Sequence, residues 1–533
     1  MPLRNRPWFK FWPENVPQHI AYPKIPLFQF LTDTANRYPN HTAFSCHGLG
    51  ISYRGLNTIT TKLALALRTL GVKKRDRVLI FLPNSLQFII GYYGIIKTGA
   101  IVVPTNPLYK ELELWQRISD SKAKMLITNK ELYPVVKETV SKTKVATLLM
   151  PDDEEVIDTS WVEKLLVDKP SISAQIEIKP KEDVVTLLYT GGTTGVSKGV
   201  MLTHYNLVAN AIQNAVWFEW SHQDVVIGLL PFYHTWGQCT GIHSPVYAGA
   251  RVITKPRFNT EELLMTIEKE QATVLYGAAS LFNMLLNSPI LNKYDLSSLR
   301  YVKAGAMPIP FELKERWEKS TGVKMVLGYG LTEASPETHN SPPCRVKAGT
   351  IGIPIIDTDA RIVDMETGTI DLPLGEVGEL VVKGPQVMKG YWRSPSETRA
   401  TLRRGWLYTG DLAIMDEGGY FCIVDRKKDT IKYKGYTIAP AELEDAVYMH
   451  PAVKECAVIG TPAPIVGEIP KAYIVLKEGC QLTEEEIIKF CEAKLAPYKK
   501  IRAVQFVEEI PKTPVGKVLR RALRNRELST SPP

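Results

Sequence analysis

The 533-residue sequence has few of the features that cross-link a protein or anchor it in a membrane. Its seven cysteines are an odd number, with no CxxC pair and no histidine cluster, so we expect neither a disulfide framework nor a structural zinc site. The N-terminal MPLRNRPWFKFWP lacks the apolar segment of a secretory signal. There is no exact repeat and no low-complexity tract. These absences favour a globular protein in a reducing, cytoplasmic compartment.

Long hydrophobic runs are also scarce. The one candidate membrane span, Val78 to Ile96, carries no charge but is interrupted by Pro83 and Asn84. We therefore interpret it as a strand (VLIFL), a turn and a helix (SLQFIIGYYGIIKTG). A second strand, AIVVPTNP, follows, which is the pattern of a βαβ unit. RVITKP, TEELLMTIEKE and ATVLYGAAS repeat the pattern, with Asn259 or Thr260 as a helix N-cap.

The pattern changes after about Thr350. Short alternating segments (ARIVDMETG, GELVVKG, GYFCIVDR) predict a small β-barrel or antiparallel sheet, and a compact α+β module is predicted after DRKKD. The predicted fold class is therefore α/β, with a large N-terminal domain of two αβ sheet subdomains plus a small β-barrel. A smaller, mobile α+β C-terminal domain completes it. We place the domains at residues 1–425 and 429–533, with a hinge at 426–428 where a charged run separates them.

Charge is concentrated near the C-terminus. The chain has a net charge of +9, and residues 494–526 alone hold ten basic and two acidic side chains. Such a segment suits nucleic acid, an anionic membrane surface or a small polyphosphate, and a solvated helix end is an equal alternative. Near the N-terminus, Trp8, Phe9, Phe11 and Trp12 are mixed with basic residues. An arm packed on the domain is favoured there over contact with a membrane interface.

One short loop carries the first chemical signal. YTGGTTGVSKG, residues 189–199, holds four glycines and three threonines beside Ser197 and Lys198. It follows the strand-like VVTLLY and precedes VMLTHYNLVANAI, which we predict to be helical. Glycine-rich turns expose backbone N–H groups that can bind phosphate oxygens. The common P-loop requires glycine directly before the lysine, where Ser197 stands, and a flexible linker is the alternative for this loop taken alone.

Four further motifs extend this signal: GYGLTEASP at 328–336, GWLYTGDLA at 405–413, DRKKDTIKYKGYTIAPAELE at 425–444 and PKTPVGKVLRR at 511–521. With the loop, their order and spacing resemble the adenylate-forming superfamily. This superfamily includes acyl-CoA synthetases, coumarate-type ligases, firefly-type luciferases and peptide-synthetase adenylation domains. The resemblance covers nearly the whole chain. It departs from the usual loop at Gly191, where many members have serine, and at Ser197, where many have proline.

The resemblance implies a set of ATP-binding residues. The phosphate loop would comprise Thr190, Gly191, Gly192, Thr193, Thr194, Gly195 and Lys198. Adenine, ribose and the α-phosphate would be met by Ala304, Gly305, Tyr329, Gly330, Thr332, Asp411 and Arg426. Mg²⁺ would be held by Thr190 and Glu333. The residues implied for catalysis are Lys517, Glu333, Lys198 and His234, and Lys517 would stabilise charge during adenylation.

The resemblance also implies a second half-reaction, in which the acyl group passes to coenzyme A. Lys428 corresponds to the hinge, Gly435 to the passage for the pantetheine arm, and Lys432 and Lys434 are candidates for the CoA phosphates. A separate set would line the acid pocket: Tyr233, His234, Trp236, Gly237, Met307, Gly328 and Leu331.

The sequence therefore predicts an ATP-dependent fatty acid:CoA ligase that favours medium- or long-chain acids. ATP, Mg²⁺ and coenzyme A would be its cofactor and co-substrates. An aryl- or coumarate-type CoA ligase, a luciferase-type oxidation and a catalytically inactive adenylate-binding sensor remain alternatives. No nucleic-acid partner is expected. Peripheral membrane contact and a homodimer are left open by the sequence.

Overall fold

Four β-sheets organise the chain in the computed structural model. The structure describes residues 6–166, 176–190, 197–305, 309–427, 429–433, 436–438, 440–463, 466–495, 499–512 and 518–530, apart from the side chains at 153, 432, 436, 437 and 528–530. All structural statements below concern these residues.

The first sheet has nine strands in the order β15-β14-β13-β12-β11-β9-β10-β1-β2. Its centre is parallel and its last strands at both edges are antiparallel. The strands are β1 Thr42–Cys46, β2 Leu49–Ser52, β9 Val225–Gly228, β10 Arg251–Thr254, β11 Val274–Ala278, β12 Tyr301–Gly305, β13 Met325–Gly330, β14 Glu337–Asn340 and β15 Ile353–Pro354.

The second sheet has seven strands in the order β18-β8-β7-β4-β3-β5-β6, and β3 to β7 are parallel. They are β3 Arg77–Phe81, β4 Ile101–Thr105, β5 Met125–Asn129, β6 Ala146–Met150, β7 Val184–Thr190, β8 Lys198–Thr203 and β18 Gly390–Tyr391. Strands buried on both faces read as continuous hydrophobic runs, which is why VLIFL and AIVVP were recognisable from sequence.

Two five-stranded sheets complete the fold. The third sheet is antiparallel and stands where the sequence predicts a small barrel: β16 Asp359–Val363, β17 Gly378–Lys383, β19 Leu402–Arg403, β20 Trp406–Met415 and β21 Phe421–Arg426. The fourth begins beyond the predicted hinge and contains β22 Ile431–Tyr433, β23 Tyr436–Ile438, β24 Val453–Ala463, β25 Gly467–Leu476 and β26 Ala503–Phe506. The predicted fold class is confirmed.

Helices cover the sheets. They are α1 Gln29–Arg37, α2 Tyr53–Thr69, α3 Leu86–Lys97, α4 Glu111–Ser121, α5 Tyr133–Thr143, α6 Asp153–Val156, α7 Ser160–Lys164, α8 His204–Trp217, α9 Thr235–Gln238, α10 Ser244–Ala248, α11 Thr260–Glu270, α12 Ala279–Leu286, α13 Phe311–Thr321, α14 Pro395–Thr401, α15 Pro440–Tyr448, α16 Glu484–Glu492 and α17 Arg520–Thr530. Short 3-10 turns lie at Pro7–Phe11, Leu291–Lys293 and Thr332–Ala334, and a π-helical turn lies at Cys239–His243. Asn259 caps α11 as predicted, accepting a hydrogen bond from the backbone N–H of Glu262 at 2.9 Å.

One predicted element was wrong. The segment VMLTHYNLVANAI is not helical throughout, because its first four residues belong to β8, which pairs antiparallel with β7. The helix α8 begins only at His204, after Thr203 accepts a hydrogen bond from the Asn206 N–H at 3.2 Å and caps it. The loop of residues 191–196 therefore connects two strands of a hairpin, rather than a strand and a helix.

The N-terminal aromatic residues pack onto the chain, as favoured from the sequence. Trp8 is buried beside Phe421, with 6.2 Å between ring centroids, and Trp12 lies edge-on to Trp217 at 5.1 Å. The stretch from Val78 to Ile96 forms β3 and α3 inside the second sheet layer. In the described part of the chain, no helix combines the length and the apolar character needed to span a bilayer.

Candidate active site

A large cleft of about 3140 Å³ opens where the carboxyl ends of parallel strands from the first two sheets face the third and fourth sheets. Ligands of α/β proteins bind at such strand ends, because the loops that follow them converge there. The cleft is lined by many of the predicted site residues: Thr190, Lys198, Tyr233, His234, Trp236, Ala304, Gly305, Gly328, Tyr329, Gly330, Leu331, Thr332, Glu333, Asp411 and Arg426.

A buried carboxylate organises the end of the cleft predicted to hold adenosine. Asp411 on β20 is 2 % exposed, and its register partner on β21 is Arg426. The Arg426 Nε lies 2.5 Å from Asp411 Oδ1, and the Tyr329 hydroxyl donates to Asp411 Oδ2. The nearby carboxylate raises the pKa of Arg426, and burial raises the pKa of Tyr329. A carboxylate has about four acceptor sites, so about two remain for a pair of ribose hydroxyls.

The end predicted to hold phosphate is built on the β7–β8 hairpin. Thr190 and Lys198 are register partners in this hairpin and bracket its connecting loop. The Lys198 ammonium pairs with Glu397 and lies 5.4 Å from the centroid of the Tyr391 ring. The Tyr391 hydroxyl in turn donates to Glu333 Oε1 at 2.8 Å. Tyr391 therefore lies between the lysine and the carboxylate predicted to serve the phosphates and the metal.

The donor set suits Mg²⁺ bound jointly with phosphates. Among the described residues there is no group of three or more His, Cys, Asp or Glu side chains that could hold a metal alone. Mg²⁺ typically takes one or two carboxylates together with substrate phosphates and water. Glu333 and Thr190 supply hard oxygen donors that both line the cleft, and Glu333 retains acceptor sites beyond the one used by Tyr391. The residues present therefore fit this ion.

The pocket predicted for the acid has an aromatic boundary. The Trp236 ring packs against Gly305, where a Cβ atom would lie 3.1 Å from Trp236 Cη2. His234 caps α9, because its Nδ1 accepts a hydrogen bond from the Trp236 N–H at 3.2 Å. The neighbouring backbone excludes a side chain at Gly330, since a Cβ atom there would lie 2.1 Å from the Pro336 carbonyl oxygen.

A buried ion pair in the cleft was missed by sequence reasoning. Lys303 Nζ lies 2.5 Å from Glu337 Oε1, and these side chains are only 2 % and 3 % exposed. Asn340 Nδ2 donates to the other carboxylate oxygen at 2.9 Å. Burial lowers the pKa of Lys303. A lysine inside the otherwise apolar strand YVKAG was the available signal, but its partner lies 34 residues away.

The cleft continues to the fourth sheet. The Ala441 N–H, at the start of α15, donates to Asp425 Oδ2 at 2.9 Å, which links β21 to the segment beyond the predicted hinge. Burial raises the pKa of Asp425 to about 6. Arg520 of α17 also lines the cleft, and its Nη2 donates hydrogen bonds to both carboxylate oxygens of Glu444, at 2.8 and 2.7 Å.

Some predicted residues cannot be placed. Gly191, Gly192, Thr193, Thr194, Gly195, Met307, Lys428, Lys434, Gly435 and Lys517 lie outside the described residues, and Lys432 is described only as part of the β22 backbone. Their roles stay predictions.

Comparisons with known proteins cover nearly the whole chain. The family model described as AMP-binding enzyme matches residues 31–392, and that of the AMP-binding enzyme C-terminal domain matches residues 442–517. A long-chain-fatty-acid–CoA ligase of Bacillus subtilis (strain 168) is 40% identical, with 98% of each chain covered. One of Escherichia coli O6:H1 is 36% identical over 97% of this chain and 98% of its own. The ATP-bound crystal structure of MatB from Rhodopseudomonas palustris matches with a TM-score of 0.86 and 30% identity, over 94% of this chain and 98% of that one.

Proposed function

The chain belongs to the AMP-binding enzyme family, and from that premise we propose that it is an ATP-dependent fatty acid:CoA ligase that favours medium- and long-chain acids. The observation that carries the proposal is a single cleft. Its lining brings together a buried carboxylate suited to ribose, a hairpin suited to phosphates and an aromatic-bounded pocket suited to an acyl chain. The full-length similarity to long-chain-fatty-acid–CoA ligases supports the substrate class.

The first step joins the acid to AMP. A carboxylate oxygen attacks the α-phosphorus of ATP, the bond to the β-phosphate oxygen breaks, and pyrophosphate leaves. Two like unit charges about 4 Å apart repel by roughly 4 kcal/mol at an effective dielectric constant of 20. Positive charge must therefore be in place before the attack. Mg²⁺, held by Glu333, Thr190 and phosphate oxygens, would supply part of that charge and polarise the phosphates.

The chain's own residues bind and orient the nucleotide in this proposal. Asp411 accepts hydrogen bonds from the ribose hydroxyls, Tyr329 stacks on adenine, and Arg426 holds the carboxylate in position. Lys198 meets the outer phosphates once it exchanges its exposed partner Glu397 for them. Lys517 bridges the acid and the α-phosphate, where a preorganised cation stabilises the charge that develops in the transition state.

The second step releases AMP. The thiolate of coenzyme A attacks the acyl carbon of the mixed anhydride, the bond from that carbon to the phosphate oxygen breaks, and AMP leaves. We place the rotation that serves this step at the hinge, residues 426–428, between domains 1–425 and 429–533. Gly435 leaves room for the pantetheine arm, and Lys432 and Lys434 bind the CoA phosphates.

Two experiments test the proposal. A panel of acids from acetate through palmitate to coumarate, analysed as CoA thioesters by mass spectrometry, should give its highest yields with alkyl acids of medium or long chain. A preference for coumarate would favour the aryl alternative, and no pyrophosphate release with any acid would favour an inactive sensor.

The second experiment separates the half-reactions. Lys517→Ala should abolish acyl-AMP formation and still convert pre-made acyl-AMP to thioester. Survival of both steps, or equal loss of both in folded protein, would contradict the assigned role. A cytoplasmic location, peripheral membrane contact and a homodimer stay predictions, to be tested by cell fractionation, liposome sedimentation and light scattering.

A further inference from the structure

Arg117 is a buried cation close to the phosphate hairpin that no motif singled out. It lies on α4, is 7 % exposed and lines the same cleft as Thr190 and Lys198. The interior of a protein is a costly place for a charge, and buried charges are normally paired with an opposite charge. We therefore expect Arg117 to have a partner of opposite charge.

The guanidinium joins the two ends of the phosphate loop. Its central carbon lies 3.5 Å from the centroid of the Tyr189 ring, and Nη2 lies 3.2 Å from Ser197 Oγ. The Ser197 hydroxyl donates to the Thr190 carbonyl oxygen at 2.7 Å. Thr190 and Ser197 are the described residues that flank the loop of residues 191–196. Arg117 therefore contacts the two chain segments that border this loop, through the Tyr189 ring on β7 and the Ser197 hydroxyl just before β8.

These contacts do not neutralise the charge. Within the described chain, no carboxylate forms an ion pair with Arg117, and the nearby Asp120 accepts the Tyr189 hydroxyl at 2.5 Å. Three other buried or half-buried cations of the cleft differ, because Lys198, Lys303 and Arg426 each have a carboxylate partner. A cation over an aromatic ring is stabilised only in part. Because Arg117 lines the cleft, an anion bound in the cleft is able to supply the missing counter-charge.

We propose that Arg117 is a positioning residue for the phosphate loop, and that its uncompensated charge favours triphosphate and pyrophosphate over AMP. The inference rests on the proposed function and extends it to the order of events. An anion with β- and γ-phosphates, held by the loop, balances the positive charge of Arg117. When pyrophosphate leaves, that charge is unbalanced again. The residue thus acts in the adenylation step and is silent in thioester formation. Ser197 has a defined part in this arrangement, because its hydroxyl connects the guanidinium to the Thr190 backbone.

The experiment compares Arg117→Gln and Arg117→Lys with a matched control. Arg361→Gln is the control, because Arg361 also stacks on an aromatic ring, at 4.0 Å from Trp406, but pairs with Asp371 and does not line the cleft. Dissociation constants of pyrophosphate, ATP and AMP are measured by calorimetry on the full-length proteins. Steady-state assays then give the KM for ATP in acyl-AMP formation and the rate of thioester formation from pre-made acyl-AMP.

For Arg117→Gln we expect pyrophosphate and ATP to bind about tenfold more weakly, the size of one lost charge-assisted interaction. AMP binding and thioester formation should stay within about twofold of wild type. Arg117→Lys should recover part of the pyrophosphate affinity, and the control should change none of the values. Equal weakening of AMP and pyrophosphate, or no change in either, would overturn the proposal in favour of a purely structural stack.

Two further measurements allow the proposal to be tested even if Arg117→Gln does not fold. Ser197→Ala leaves the cation in place and removes its link to Thr190, so pyrophosphate affinity should fall in this variant even if Arg117→Gln does not fold. Binding of pyrophosphate needs no turnover. A wild-type protein that binds it but never forms acyl-AMP would therefore contradict the proposed function while leaving the role of Arg117 testable.

Discussion

Asp411→Asn is the substitution whose effect follows most directly from the structure. The change keeps the shape of the side chain and removes its charge. In the native cleft each carboxylate oxygen already accepts one donor, from Arg426 or from Tyr329. An asparagine offers one acceptor oxygen and one donor amide. The variant therefore places an N–H group against a hydroxyl or a guanidinium and gives the ribose a neutral acceptor.

The magnitude follows from the hydrogen bonds lost. A hydrogen bond to a charged group contributes about 1.5–3 kcal/mol, so loss of one to the ribose should weaken nucleotide binding roughly 10- to 150-fold. Because the ribose is common to ATP and AMP, both ligands should lose the same factor. This distinguishes Asp411 from Arg117, whose substitution should affect only ligands with outer phosphates.

The assay pairs calorimetry of ATP and AMP with the KM for ATP in acyl-AMP formation. Tyr329→Phe is the matched control, because it removes one donor to Asp411 and keeps the ring for stacking. Its effect on nucleotide binding should be a few-fold at most, because the lost hydrogen bond only holds Asp411 in position and is not made to the nucleotide. A folded Asp411→Asn protein with unchanged affinity for both nucleotides would refute the assignment of this carboxylate to the ribose.

Three further predictions follow from other groups that line the cleft. Lys303→Met should lower the free energy of unfolding by about 3–5 kcal/mol, because it leaves the Glu337 carboxylate buried and unpaired, and the double variant Lys303→Met/Glu337→Gln should recover most of that loss in denaturant titrations. Glu333→Gln should raise the Mg²⁺ concentration needed for half-maximal acyl-AMP formation about tenfold or more, and an unchanged titration would remove Glu333 from the metal site. The pKa of Asp425, raised by burial from 3.8 to about 6, means that the folded state holds this proton more tightly than the unfolded chain. Stability from this group is therefore present below pH 4 and is lost as the pH rises to 6. Asp425→Asn should gain up to about 3 kcal/mol relative to wild type between pH 4 and pH 7 in unfolding measurements, and a constant difference would contradict this.

Local patterns were enough for much of the fold. The runs that became β3, α3 and β4 have the hydrophobic continuity of a buried βαβ unit, and Asn259 is the kind of residue that caps a helix. The error at β8 has a physical cause. VMLT is a short apolar segment, and only its pairing with β7 makes it a strand.

Some residues of the candidate site could likewise be predicted from local motifs, and others could not. Motifs pointed to Asp411, Tyr329 and Glu333, and the structure brings these residues into one cleft. The pair of Lys303 with Glu337 and the contact of Arg117 with Ser197 join residues 34 and 80 positions apart. Such contacts depend on how strands and helices pack, which no local spacing encodes, so these residues became visible only in three dimensions.

The central claim is that this cleft lets a carboxylate attack the α-phosphorus of ATP. The most direct measurement incubates the purified protein with ATP, Mg²⁺ and palmitate in the absence of coenzyme A, and analyses the bound products by mass spectrometry. We expect palmitoyl-AMP and an equal amount of pyrophosphate, followed by palmitoyl-CoA and AMP once coenzyme A is added. Thioester formation that proceeds through ADP and an acyl phosphate, with no acyl-AMP at any time, would contradict it.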